Sequence, residues 1–416
     1  MTVSKLQRSQ ALVTSQTAMP WFKRRFRQAL LCFLTLLAAP IAVYAEPEFY
    51  QASERVMPGR PGTVIRQEPM RGAPLGAKAY RVLYRSTGLK GEPIAVSGVV
   101  IVPPGPAPAG GRPIVAWAHP TTGIVRHCAP SLAIFGFQQI QGLREMVRRG
   151  YIVAATDYPG LGTPGPHPYL VGASEGRAVL DSLRAARELG GTAASSRVGI
   201  WGHSQGGQAA LYAALLAKEY APELELAGVA VAAPATDLGA LMRDDLPTPG
   251  GKNLLAMTLW SWSRVFNISL ENVVDPAAMP TINALANVCL ESPFDLEPRL
   301  RAGAALQKRF LLVHNLTELE PWRTLLAENT IGPLPPSIPV FIAQGSADKT
   351  VDPPVTEAYM KELCAAGSRV RMLILPGVGH GTIAMKSALR AVAWMANRFA
   401  GSPPEDDCPE VRGHTQ

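Results

Sequence analysis

Residues Arg197–Gln208 read RVGIWGHSQGGQ. Arg197–Trp201 is a short β-branched and apolar run, and the QAALYAALLAKEY beginning at Gln208 is rich in Ala and Leu, so a strand passes into a helix across Gly202–Gly206. A serine lifted onto so tight a turn needs an unfavourable backbone, and its neighbours two residues away on each side must lack side chains. Gly202 and Gly206 meet that need, and Ser204 stands at a helix N-terminus, where unpaired N–H groups favour developing negative charge. Gly-x-Ser-x-Gly alone also describes an ordinary glycine-rich loop; between a strand and a long helix it predicts a nucleophile elbow. The N–H of Gln205 is then one oxyanion donor.

Outward from this turn the chain alternates between strand and helix. Ile114–Ala118, Tyr151–Ala155 and Leu226–Ala233 are apolar on both faces, with helical stretches over Gln138–Arg149 and Ser174–Leu189, the latter capped by Ser174. Tyr80–Ser86 and Ile94–Val102 predict a hairpin, and residues 46–75 an extended arm. Between Pro234 and Pro339 the alternation stops, leaving short helical patches (Leu254–Val265, Met279–Leu290, Leu300–Val313) in a segment too long for a structureless loop. Val340–Gln344 and Val370–Leu375 resume as strands, and Thr382–Phe399 closes the chain as a helix. The fold class is therefore α/β, a mostly parallel central sheet with helices on both faces and an inserted helical cap. An independent domain is the other reading of the insertion. The expected division is a signal peptide over 1–45, a core over 46–234 and 339–400, a cap over 235–338 and a tail over 401–416.

The signal peptide rests on the basic KRRFR at Lys23–Arg27, the apolar Ala29–Val43 and a Val-Tyr-Ala cleavage site ending at Ala45. That apolar run falls short of the roughly 20 residues a membrane span needs. Met19 would open a signal of more ordinary length. Six of the 40 basic residues precede Ala45 and none of the 32 acidic ones do, so the exported chain is close to neutral and gives no case for a nucleic-acid partner. Secreted or periplasmic localisation and a monomer are the expectations. Cys32 leaves with the signal; Cys128, Cys289, Cys364 and Cys408 suggest two disulfides with three pairings open. Neither a C-x-x-C pair nor an H-E-x-x-H helix occurs, so no metal site is expected, and the chemistry needs no cofactor.

A serine nucleophile needs a base, and the base an orienting acid. Asp348 follows the strand VFIAQG, and His380 follows MLILPG, in the order Ser, Asp, His of an α/β-hydrolase. Asp352 shares the Asp348 loop and is the alternative acid. Of the other histidines, His203 lies within the elbow, His119 in the loop after the strand IVAWA, His127, His167 and His314 in packing positions, and His414 in the tail. In the loop His119–Gly123 (HPTTG), Pro120 has no N–H, so Thr121, with Thr122 next, is the second oxyanion donor.

GHSQGG, HPTTG followed by Cys128–Ser131 (CAPS), DYPGLGTPG from Asp157, APATDL, GSADKTVDP and GHG together make the chain from Phe49 to Phe399 resemble the secretory lipase family of α/β-hydrolases. The resemblance implies a helical cap after the sixth of the strands read above, and pairing of Cys128 with Cys289 and of Cys364 with Cys408. Pro120 departs from the His-Gly common in related enzymes. The reading is a secreted serine carboxylic-ester hydrolase, a lipase acting on acyl esters or at a lipid–water interface, with the cap residues Leu254, Leu255, Met257, Leu259, Trp260, Trp262 and Phe266 serving an acyl chain or the cap's own core. The rivals are an acyltransferase, a serine exopeptidase with an acidic pair drawn from Glu291, Asp295 and Glu297, and a non-catalytic binding protein.

Overall fold

Nine strands form one sheet in the computed structural model, which describes residues 48–290 and 296–409; the expected signal peptide lies outside the described residues. They are β1 (Val64–Met70), β2 (Lys78–Thr87), β3 (Pro93–Val102), β4 (Arg112–Ala118), β5 (Ile152–Thr156), β6 (Ala194–His203), β7 (Glu225–Ala232), β8 (Val340–Gly345) and β9 (Val370–Leu375), in spatial order β1-β2-β3-β5-β4-β6-β7-β8-β9. Pairs among β1, β2, β3 and β5 are antiparallel, and every pair from β5 to β9 is parallel.

The strands that read as unbroken apolar runs divide their side chains between two cores. Ile114, Ala116, Ile152, Ala154, Val198, Ile200, Val229 and Val231 face one side; Val115, Trp117, Val153, Trp201, Ala230 and Ala232 face the other. This is the period-two pattern of a sheet covered on both faces. The first core is closed by α3 (Gly172–Glu188), α4 (Gln205–Tyr220) and α10 (Pro353–Ala365). On the second lie α2 (Leu143–Arg148), α11 (His380–Phe399) and part of the insertion between β7 and β8.

That insertion holds α5 (Leu238–Asp245), α6 (Pro249–Val265), α7 (Met279–Ala286), α8 (Leu296–Lys308) and α9 (Trp322–Glu328). Side-chain caps start two of them: Asp237 accepts the Ala240 N–H at 2.9 Å and Thr248 the Gly251 N–H at 2.9 Å, with Pro249 leading the second. Its residues share one core with the sheet: Leu255, Met257, Leu259 and Trp262 of α6 are buried in it, while Trp260 is half-buried. The α6 helix is also pinned to the loop before α3, through Trp262 Nε1–H to Tyr169 O at 2.8 Å and Ser261 Oγ–H to His167 O at 2.6 Å.

Three local expectations change. Residues 64–70 of the extended arm form β1, an antiparallel edge strand in which Pro69 is tolerated because an edge leaves one row of backbone groups unpaired. The helix over Gln138–Arg149 is split into α1 (Gly136–Gln139) and α2 by Gly142 at φ 84°. Ser174 is not a cap: α3 begins at Gly172 after Val171, and Ser174 is buried in its first turn.

Both disulfides take the pairing the resemblance implied, Cys128–Cys289 and Cys364–Cys408. The second fixes the tail beside the outer edge of β9, where Asp407 accepts the Met372 N–H and ion-pairs with Arg371, each at 2.8 Å. Closing a separation of 44 residues restricts the unfolded chain, so replacing Cys364 and Cys408 with serine should lower the unfolding free energy by about 2–4 kcal/mol in a urea titration.

Candidate active site

Ser204 sits where β6 passes into α4, with φ 57° and ψ −120°, a conformation that L-residues avoid. Two glycines permit it. A Cβ on Gly202 would lie 2.1 Å from Gly206 O, and one on Gly206 would lie 2.0 Å from Ala118 O. The turn is held from behind by Ser204 N–H to Ala232 O at 3.0 Å and Ala235 N–H to Ser204 O at 3.2 Å, tying β6 to the end of β7.

His380 and Asp348 reach this serine from the ends of β9 and β8. His380 Nε2 lies 2.8 Å from Ser204 Oγ, and His380 Nδ1 lies 2.8 Å from Asp348 Oδ2. The other oxygen of Asp348 accepts the N–H groups of Thr350 and Val351, both at 2.9 Å. Burial alone would raise this carboxyl; the bonds from His380, Thr350 and Val351 outweigh it and hold Asp348 below the usual carboxylate value. An acceptor of this kind fixes the tautomer with the proton on Nδ1 and the lone pair of Nε2 toward Ser204. Asp352 instead precedes α10 and makes no side-chain cap bond. His203 packs against His380 with ring centroids 4.9 Å apart and lies 3.1 Å from His380 O through Nε2; burial, then the neighbouring His380, pushes it down to about 3, so it is a neutral donor.

Gln205 opens α4, where its N–H has no intrahelical acceptor. Across from it runs the loop after β4. His119 in this loop is buried, and desolvation pushes it down to about 4 against bonds to Pro120 O and Asp157 O. Tyr158 O–H holds His119 O at 3.1 Å. Thr121 and Thr122 are both buried and both line the cavity over Ser204; Thr121 Oγ1 is 3.0 Å from Tyr169 Oη, and Thr122 Oγ1 has no partner among the described residues. Leu290 N–H donates to Thr122 O at 2.8 Å, and the adjacent Cys289 is bonded to Cys128, so the insertion is clamped to this loop twice. His127 lies beside that bridge, whose sulfurs are bonded to each other and offer no thiolate to a metal.

The cavity holds about 750 Å³. Ser204, His380, His203 and the His119–Thr122 loop form its floor, and the insertion supplies a wall of Leu238, Leu241, Leu254, Leu255, Met257 and Leu285. At its edge Phe135, Leu296, Leu300 and Met385 line the cavity and are also exposed, at 67, 52, 64 and 57 %. Glu297 is exposed and ion-paired to Arg301 on the surface of α8, and the other two acids of the exopeptidase reading, Glu291 and Asp295, lie outside the described residues.

One cluster escaped the sequence reading. Glu175, on the same α3 stripe as Ala178, Val179 and Ser182, is buried against Gln205 and His167. A carboxylate recurring with apolar residues at helical spacing is the signal that marks it.

A strained serine at a strand–helix turn on the C-terminal edge of a parallel sheet, followed in chain order by an aspartate and a histidine bonded to it in series, defines an α/β-hydrolase. The secretory lipase family pattern matches residues 138–407; the chain belongs to that family and is a carboxylic ester hydrolase. It is 28% identical to Lipase 9 of Candida albicans over 354 residues, covering 80% of this chain and 76% of that one. A Mycobacterium tuberculosis protein named "probable inactive lipase" is 26% identical over 390 residues, covering 89% and 84%. Among solved structures, Candida antarctica lipase A superposes with a TM-score of 0.74 at 21% identity, over 87% of each chain. The rice cell wall degrading esterase LipA of Xanthomonas oryzae gives 0.64 at 23%, over 81% of this chain and 95% of that one.

Because a Cβ on Gly206 would meet backbone rather than a side chain that can move aside, Gly206→Ala should cost about 2–3 kcal/mol of stability. Thermal unfolding of that variant beside Ser204→Ala, which leaves the turn intact, measures the difference.

Proposed function

We propose that the chain is an exported serine lipase that hydrolyses acyl esters through Ser204, His380 and Asp348. His380 takes the Ser204 proton as the hydroxyl attacks the ester carbonyl, and the oxyanion is met by the N–H groups of Gln205 and Thr121. His380, now charged and held by Asp348, protonates the leaving alcohol; water activated by the same imidazole then releases the acid from Ser204. The single observation that carries the reading is the unbroken pair of 2.8 Å contacts from Ser204 through His380 to Asp348, opening into an apolar cavity.

The cavity favours an ester of a fatty acid over a peptide. Its wall is mostly leucine and methionine, and the described acid nearest the exopeptidase reading, Glu297, is taken up by Arg301. The exposed apolar rim of Phe135, Leu296, Leu300 and Met385 suits a lipid–water surface. In this reading the helices between β7 and β8 are a cap over residues 235–338, the N-terminal 45 residues are a cleaved signal, and the mature enzyme works as a monomer.

Hydrolysis of p-nitrophenyl esters from acetyl to palmitoyl, by the purified mature protein and by Ser204→Ala, tests it. Each methylene buried on the apolar wall contributes up to about 0.8 kcal/mol, so kcat/KM should rise at least about tenfold from acetyl to octanoyl. Ser204→Ala should lose at least about 10³-fold, and Asp348→Asn on the order of 10³–10⁴-fold in kcat. Folded protein with no Ser204-dependent turnover on any ester would sink the reading.

A further inference from the structure

The side chain of Gln205 does not line the cavity; it is buried behind it, with Glu175 and His167. Its Nε2 carries two hydrogens, and each has an acceptor, Glu175 Oε1 at 2.7 Å and His167 Nε2 at 3.1 Å. His167 can accept there only as the neutral tautomer whose Nδ1–H donates to Pro159 O at 2.8 Å, and burial keeps it neutral by pushing it down to about 3. Glu175 Oε1 also takes the Leu170 N–H at 3.0 Å. Glu175 Oε2 and Gln205 Oε1 are both buried with no partner among the described residues.

Two bare acceptor oxygens on adjacent, bonded side chains are accounted for by a single proton. Carried on Glu175 Oε2, it removes the buried charge and supplies a donor where the carboxylate had only acceptors. No described cation offsets the carboxyl instead. The loop before α3 contributes Tyr158, Tyr169 and neutral His167, with the His119 ring tilted against Tyr158; α4 contributes Gln205, Gln208 and Tyr212, and Asn329 comes from the insertion. Arg177, on α3 itself, points to Gly88 O at 2.8 Å. Burial drives the Glu175 carboxyl up to about 8 in spite of the bonds from Gln205 and Leu170.

We propose that Glu175 is a positioning residue for the oxyanion hole: as a neutral acid it holds Gln205, and with it the N–H beside Ser204, and loss of its proton turns hydrolysis down. The inference rests on the serine-hydrolase reading. An ionised Glu175 sets an uncompensated buried charge against Gln205, behind the group that must receive a developing oxyanion.

The test is kcat/KM between about pH 6 and about pH 10 for the wild type and Glu175→Gln, whose amide accepts and donates as the neutral acid does. The wild type should fall on the alkaline side near the value at which Glu175 ionises. The variant should stay within about threefold of wild type at neutral pH and lose that fall. A flat wild-type profile, or the same fall in both proteins, overturns the proposal. If Glu175→Gln does not fold, Gln205→Leu keeps the backbone N–H but cuts the side-chain link through which Glu175 acts, and should lose the alkaline fall; the same fall as in the wild type contradicts the proposal.

Two readouts need no turnover. Infrared difference spectra across the same range should show loss of a protonated-carboxyl band in the wild type that is missing from Glu175→Gln. The acid is raised on folding, so its contribution to stability is complete below about 4.5 and is lost as pH rises toward about 8; Glu175→Gln should gain Tm over the wild type across that window. Absence of both signals refutes the protonated state, whereas absence of Ser204-dependent turnover at every pH refutes only the hydrolase reading.

Discussion

The structure depends on a turn with no room for a side chain two residues before or two residues after Ser204. Gly202 and Gly206 let β6 run into α4 at contact distance, and the cost of a left-handed serine is carried by the hydrogen bonds that tie it to Ala232 and Ala235 and by the two cores above and below the sheet. Because β6 lies between β4 and β7, the same packing that fixes Ser204 fixes the loop after β4, which carries Thr121, and the start of the insertion. His380 and Asp348 then need only the ends of the next two parallel strands to arrive.

The insertion is coupled to this edge by unusually direct links. Cys128–Cys289 and the Leu290–Thr122 bond join it to the loop after β4, and Ser261 and Trp262 bond to the loop before α3. The cavity wall and the candidate oxyanion donors are therefore parts of one mechanical unit. A substrate chain that leans on Leu254 and Met257 also leans, through these links, on the loop that contains Thr121. For the proposed reaction, that arrangement gives binding energy from a remote acyl chain a route to orientation at the carbonyl.

Much of this was legible in the residues. Strands buried on both faces announce themselves as unbroken apolar runs, and the elbow is set by local sterics that only glycine satisfies, so the sheet, Ser204, Asp348 and His380 follow from short stretches of sequence. What escaped depends on tertiary context. The charged β1 has no apolar run because it is an edge; Gly142 divides a helix whose side-chain pattern continues across the break; Ser174 has the chemistry of a cap, yet the chain turns helical two residues earlier. In the sequence His167 has only the look of a packing residue, because its partners Glu175 and Gln205 lie on different helices that meet only in the folded core.

The central claim is that the fold singles out one hydroxyl, Ser204, as a nucleophile. The most direct measurement is covalent: incubate the mature protein with an alkyl phosphonate ester, then map the adduct by peptide mass spectrometry. A single equivalent on the peptide containing Ser204, with the reaction suppressed in His380→Ala, is the result predicted. Folded protein left unlabelled, or labelled at another hydroxyl while Ser204 stays free, would contradict it.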